Sequence, residues 1–221
     1  MKYLISFLFL ALAFSMKSEA KVTLPSILGD NMVLQQQAEV KLWGKARPNA
    51  TVTVKTSWNG QTYKFSSDGK GGWSLTVSTP VAGGPYKIIF NDGELLTLQN
   101  VLIGEVWFCS GQSNMEMPMG CFDRQPVRGA NDIIAKAKPS TPIRMYTTDS
   151  KDGRWVRQFS KTPAEDCQGE WLENTPVNVS HISAVSYYFA RYIQEVLEVP
   201  VGIVVSTWGG SKVEAWTVSY T

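Results

Sequence analysis

The sequence has one histidine and three cysteines among its 221 residues, with no C-x-x-C pair, so a structural zinc site has no ligand set and a dense disulfide framework is excluded. Charge of one sign is missing as well: 21 Lys and Arg are scattered against 19 Asp and Glu. The net +2 leaves no basic footprint for nucleic acid. After the first twenty residues no apolar run approaches the ~20 residues that a spanning helix needs. With 43% hydrophobic and 18% charged residues, the composition is globular, neither disordered nor collagen-like. Aromatics are plentiful: 8 Trp, 8 Tyr and 9 Phe supply rigid packing anchors and, where exposed, flat surfaces of the kind that meets sugars.

The one long apolar run has a purpose of its own. Met1, Lys2 and Tyr3 form a short basic start, residues 4–14 are almost unbroken apolar, and Ser18-Glu19-Ala20 ends with small residues at its first and third positions. This grammar predicts a secretory signal peptide over 1–20, cleaved after Ala20, and a mature chain that is secreted or periplasmic without a membrane anchor. Export permits disulfides. Cys109 closes the apolar run Val106-Trp107-Phe108 and reads as a small buried hydrophobe, which leaves Cys121 and Cys167 as the pair open to bridging.

From residue 21 to 101 no helical period occurs. Alternating apolar residues recur instead: Val40 and Leu42; Val52 and Val54; Trp73, Leu75 and Val77; Tyr86, Ile88 and Phe90; Leu96 and Leu98. Turn signals separate them at Arg47-Pro48-Asn49, Asn59-Gly60, Asp68-Gly69, Gly83-Gly84-Pro85 and Asp92-Gly93. The expectation is a small all-β sandwich over 21–101. After it, Ile103-Gly104-Glu105-Val106-Trp107-Phe108-Cys109 reads as a strand, Ile143-Arg144-Met145-Tyr146 as another, and Val201-Gly202-Ile203-Val204-Val205 as a strand buried on both faces of a parallel sheet. Val185, Tyr188, Phe189, Tyr192, Ile193 and Val196 follow the stripe of an amphipathic helix that Pro200 ends. The region 102–221 is therefore expected to be α/β.

Two of these strands run into polar glycine loops, Ser110-Gly111-Gln112-Ser113-Asn114 and Trp208-Gly209-Gly210-Ser211. Carboxyl ends of parallel strands converge on one sheet edge, where α/β folds place chemistry. Gly111 allows the tight turn that exposes Ser113 as a nucleophile, while Gly209 and Gly210 offer unhindered backbone N–H groups to a developing oxyanion. Met115 stands where a G-x-S-x-G elbow has its second glycine, which argues against the larger α/β-hydrolase class. Met115, Met117 and Met119 could line an acyl pocket or simply pack at a helix start.

The run Gly104-Glu105-Val106-Trp107-Phe108-Cys109-Ser110-Gly111-Gln112-Ser113-Asn114-Met115-Glu116 resembles the nucleophile block of the sialate O-acetylesterases, members of the wider SGNH hydrolase group. The resemblance extends to Met32-Val33-Leu34-Gln35-Gln36, Gly83-Gly84-Pro85-Tyr86, Ser183-Ala184-Val185, Trp208-Gly209-Gly210 and Glu214-Ala215-Trp216. It implies a three-layer SGNH-hydrolase-like domain over 102–221, preceded by the sandwich, with no cofactor and no metal. It also implies a carbohydrate esterase removing O-acetyl groups from sialic acids or related glycans. Ser113 would be the nucleophile, with oxyanion donors at the Ser113 N–H and at Gly210 or Gly209.

In the resembling family the base is a histidine in a D-x-x-H or D-x-H segment near the carboxyl end, and this sequence has no such segment. Its single histidine, His181, follows Asn178 and precedes the glycine loop. The expectation is thus a truncated hydrolase domain, ending at Thr221, that lacks its Asp/His and is inactive alone. Two alternatives stand beside it: an acetylxylan or other carbohydrate esterase, and a non-catalytic glycan-binding or structural fragment. Produced with its leader in a secreting bacterial host, the protein is expected outside the cytoplasm with Lys21 as its first residue. Intact mass and amino-terminal sequencing read this, and a retained Met1 would contradict the leader.

Overall fold

The computed structural model describes residues 22–151, 154–156, 162 and 164–212; the leader, 1–20, and the Glu214-Ala215-Trp216 motif lie outside the described residues. Period-two apolar spacing forms strands because alternate side chains point to one face and leave water together. In chain order these are β1 (Val33–Gln35), β2 (Glu39–Lys45), β3 (Thr51–Thr56), β4 (Thr62–Ser66), β5 (Gly72–Ser78), β6 (Gly83–Asn91) and β7 (Leu95–Gly111). β4 is additional to the runs the spacing singles out. β2 and β5 form a two-stranded antiparallel ribbon. The ribbon packs over the β4-β3-β6-β7 part of a larger sheet, so that Leu42 and Val77 meet Val52, Val54, Ile88 and Phe90 in one buried cluster. Burying each such side chain is worth about 1.5–3 kcal/mol. Trp73 sits at the centre, its ring 5.3 Å from Phe65 and 5.7 Å from Phe90.

The second half comprises α1 (Ser113–Glu116), α2 (Ala130–Lys136), β8 (Ile143–Thr147), a short hairpin of β9 (Ser150–Lys151) and β10 (Arg154–Trp155), β11 (Trp171–Glu173), α3 (Pro176–His181), α4 (Ala184–Leu197) and β12 (Val201–Thr207). β12 pairs in parallel with β8 on one side and β7 on the other, with Val201 opposite both Ile143 and Glu105. Antiparallel β11 closes the edge beyond β8, where buried Arg144 places Nη2 3.2 Å from Glu173 Oε1. The result is one mixed sheet in the order β11-β8-β12-β7-β6-β3-β4, with helices on the second half.

Several expectations change in three dimensions. Leu96 and Leu98 do not belong to a strand separate from residues 103–109: β7 is one strand of 17 residues, antiparallel to β6 in its first part and parallel to β12 in its second. Residues 101 and 102 therefore lie inside a strand, and the first core includes Tyr146, Trp171 and Val204 from the second half. Gly83-Gly84-Pro85 is not a free turn but the start of β6, where the register with β7 shifts between Gly83 and Tyr86. Among the described residues β12 is the last strand and is internal, and the 105–111 stretch of β7 has only β12 beside it.

The amphipathic pattern locates α4 and misassigns its faces. Ala184, Ser186, Tyr187 and Ala190 are buried, whereas Val185, Phe189, Tyr192 and Val196 are exposed. Small residues allow the helix to approach the sheet, and the larger apolar stripe faces outward, with Phe189 set edge-on to Trp107 at 5.0 Å. The cysteines are all free. Cys167 packs against the first core with Sγ 3.2 Å from the Tyr146 hydroxyl, while Cys121 is exposed beyond Met119 of the second core, so the Cys121–Cys167 bridge does not form. Burial pushes the Cys109 thiol up and withholds its thiolate. Brief iodoacetamide treatment of the folded chain is expected to alkylate Cys121 first and Cys109 last. Peptide mass mapping reads the order, and rapid Cys109 alkylation in folded protein would contradict the packing.

Candidate active site

Because β7 and β12 are parallel neighbours, their carboxyl ends emerge side by side, with Ser110 opposite Ser206 and Gly111 opposite Thr207. Gly111 adopts φ 150°, a region that L side chains rarely enter, and a Cβ there would stand 3.0 Å from Met115 Cγ. The turn it makes leaves Gln112, Ser113 and Asn114 exposed, with Ser113 as the first residue of α1. The Ser113 hydroxyl makes no hydrogen bond with another described residue.

Three hydrogen bonds fasten the Ser113 loop to the glycine loop. The Trp208 N–H donates to the Gly111 carbonyl at 3.0 Å. Gln112 Nε2 donates to the Ser211 carbonyl, and the Gly209 N–H donates to Glu116 Oε2. Ser211 closes its own turn through an Oγ bond of 2.6 Å to the Trp208 carbonyl. Glu116 is buried, so its bond to a backbone donor is shielded from competing water. A Cβ at Gly209 would lie 3.0 Å from Glu116 Oε2 and 3.2 Å from Ser113 Oγ. Any larger residue there would press on both side chains. Beyond it, Gly210 faces open space, with no heavy atom within 4 Å of its Cβ position.

The structure thus brings Ser113, Gly209 and Gly210 to one edge, as the loop spacing predicts, and commits the Gly209 N–H to Glu116. The roles of Gln112 and Glu116 are not apparent from the motif. A signal for Glu116 was present: it lies three residues after Ser113 in α1, a spacing that places both on one helix face. Met119 is fully buried and Met115 packs on the same core, so those two methionines are packing rather than pocket lining.

His181 does not join this group. It ends α3, is exposed, and its ring forms no hydrogen bond or ion pair with a described residue. Its segment runs along the chain after α1, through Gly120 N to Ser180 O at 2.7 Å and Met119 N to Ile182 O at 2.9 Å. Asn178, three residues before it, donates from Nδ2 to the Glu173 carbonyl at 2.9 Å and so does not orient the imidazole. Among the described residues no cluster of His, Cys, Asp and Glu could hold a metal ion, and no helix is long and apolar enough to cross a membrane. An exposed hydroxyl beside a glycine loop with backbone donors is an arrangement suited to acyl transfer.

Comparisons with known proteins point the same way. No family model matches the chain. Sialate O-acetylesterases from Pongo abelii and Homo sapiens are each 29% identical to it over 210 residues, covering 87% of this chain and 38% of the relative. The Mus musculus sialate O-acetylesterase is 28% identical over 207 residues. The chain therefore spans less than two fifths of the length of these curated relatives. The crystal structure of a carbohydrate acetylesterase from Xanthomonas citri superposes with a TM-score of 0.78 and 34% identity, over 89% of this chain and 43% of that one. By these likenesses the chain is similar to sialate O-acetylesterases and to a carbohydrate acetylesterase, both carboxylic ester hydrolases.

Proposed function

We propose that this chain is the nucleophile-bearing part of an exported serine esterase that removes O-acetyl groups from sialic acids or related glycans. The observation that carries the reading is the fastening of the exposed Ser113 loop to the Trp208-Gly209-Gly210 loop at the carboxyl edge of parallel strands. The names of its relatives support the acetylated-glycan substrate. In this reading 1–20 is the export signal, 21–101 the β-sandwich unit and 102–221 the SGNH-hydrolase unit. The ribbon over β4-β3-β6-β7 and the parallel β8-β12-β7 core support two units that share β7 and part of the first core.

Ser113 Oγ attacks the acetyl carbonyl, the sugar hydroxyl leaves, and water releases acetate from the acetyl-serine. The tetrahedral oxyanion is met by the N–H groups of Ser113 and Gly210, because the Gly209 N–H is engaged by Glu116. Glu116 acts as a positioning residue that holds the glycine loop against the nucleophile. Deprotonation of Ser113 needs a base, and no imidazole stands beside it. The chain alone is therefore slow, and added imidazole supplies the missing group.

In the expected outcome the full chain releases acetate from O-acetylated sialic acid only when imidazole is present. Ser113→Ala removes that release and His181→Ala leaves it unchanged; acetylated xylan, assayed in parallel, reads the sugar preference. Equal release by the parent chain and Ser113→Ala, with and without imidazole, contradicts the assignment. Glu116→Ala is expected to lower the imidazole-dependent rate about tenfold or more, as misplacement of a reacting group does. Glu116→Gln keeps a carbonyl acceptor for the Gly209 N–H and is expected to stay within about threefold of the parent. Equal losses in the two variants, with the fold intact by circular dichroism, would contradict the positioning role.

A further inference from the structure

A second surface, far from the two loops in the sheet order, has chemistry of its own. Lys41, Trp43 and Lys45 alternate along β2, so they share its solvent face while Leu42 points into the core. Their partners across the ribbon are Thr76, Ser74 and Gly72, side chains too short to cover an indole. Trp43 is accordingly 41% exposed. Around it lies a groove of about 780 Å³ bounded by Lys41, Lys45, Ser66, Asp68 and Ser74, and none of the Ser113 or glycine-loop residues lines it.

The charges of the groove are unequal in what they offer a ligand. The Asp68 carboxylate is turned to its own loop, accepting the N–H groups of Lys70 at 2.7 Å and Gly72 at 2.8 Å, which holds its carboxyl below the usual carboxylate range. Lys45 Nζ lies 3.0 Å from Glu165, but both side chains are mostly exposed, and such pairs exchange readily with water and other anions. Lys41 completes a row in which a lysine Cα stands about 7 Å along the strand on either side of Trp43, from two residues at about 3.4 Å each, and Glu39, next on the same face, is engaged by the Ser78 hydroxyl. A protein partner would call for apolar neighbours around so large an anchor, as interface cores have. Here Lys, Ser, Asp and Gly make up most of the groove, and the apolar surface beside the indole is confined to Trp73 within it and to Pro25 and Ile27 on its other side. A sugar ring fits better: its C–H face covers the indole, and its rim groups reach the hydroxyls and ammoniums.

We propose that the Lys41-Trp43-Lys45 face of the β2–β5 ribbon binds an acidic oligosaccharide, one whose rings carry carboxylates, at a site separate from Ser113. The proposal does not depend on the esterase reading. The test is titration of the full chain, labelled with nitrogen-15, with trigalacturonic acid and with its neutral counterpart galactotriose, followed by amide and indole NMR. The Trp43 indole signal, identified by its absence from Trp43→Phe, and the amides of Lys41, Lys45, Ser74 and Thr76 are expected to shift with the acid. Trp43→Ala is expected to weaken binding about tenfold or more, and Lys41→Ala with Lys45→Ala to weaken it and flatten its salt dependence. Because the wild-type spectra alone locate the ligand, failure of Trp43→Ala to fold does not remove the test. No shift at 10 millimolar ligand, shifts confined to another surface, or equal shifts with galactotriose would overturn the proposal. Shifts of these residues that follow protein concentration without ligand would assign the face to self-association and overturn it too.

Discussion

Strand β7 is the constraint on which the remaining architecture depends. Its first part completes the sheet under the β2–β5 ribbon, and its second part pairs with β12 and delivers Gly111 and Ser113 to the carboxyl edge. A one-residue slip would turn Val101 and Ile103 out of the first core and Cys109 out of the second at the same time. The register is over-determined by two cores, and Ser113 inherits that rigidity. β1 reinforces it, pairing in parallel with Leu102, Ile103 and Gly104 at the point where β6 gives way to β12.

At the end of β7 rigidity passes from packing to polar contacts. The loops carrying Ser113 and Gly209 bury few apolar groups of their own. Their relative placement rests on a backbone bond, a glutamine amide and a glutamate carboxylate. The labour is divided: the scaffold is fixed by hydrophobic burial, and the exposed turn is fixed by hydrogen bonds that leave its hydroxyl unencumbered. This division also allocates the glycines, Gly209 to loop closure and Gly210 to the open side.

Much of the fold was legible because burial imposes a period. Val52 and Val54, Ile88 and Phe90, and the continuous run from Val201 to Val205 each announce a strand, and Gly111 and Gly209 mark where two of them turn. What was hidden depends on partners distant in sequence. Ser26 bonds to Tyr146 at 2.6 Å and to Asp166 at 2.9 Å across separations of 120 and 140 residues, which no local pattern reveals. The face of α4 was misjudged because hydropathy ranks Phe189 above Ala190, while close approach to a sheet favours the smaller side chain. Cys167 looked free to bridge because its polar neighbours conceal the core that receives it. Ser113 was visible from its motif and its turn; Glu116, in the same motif, became intelligible only once the second loop lay against it.

The central proposal is that the fastened loops poise the Ser113 hydroxyl for acyl chemistry. Treating the folded full chain with a fluorophosphonate in imidazole buffer and weighing it tests this most directly. The account predicts a single phosphonyl adduct, mapped by peptide sequencing to Ser113. An unmodified chain, or an adduct on another serine, would contradict it.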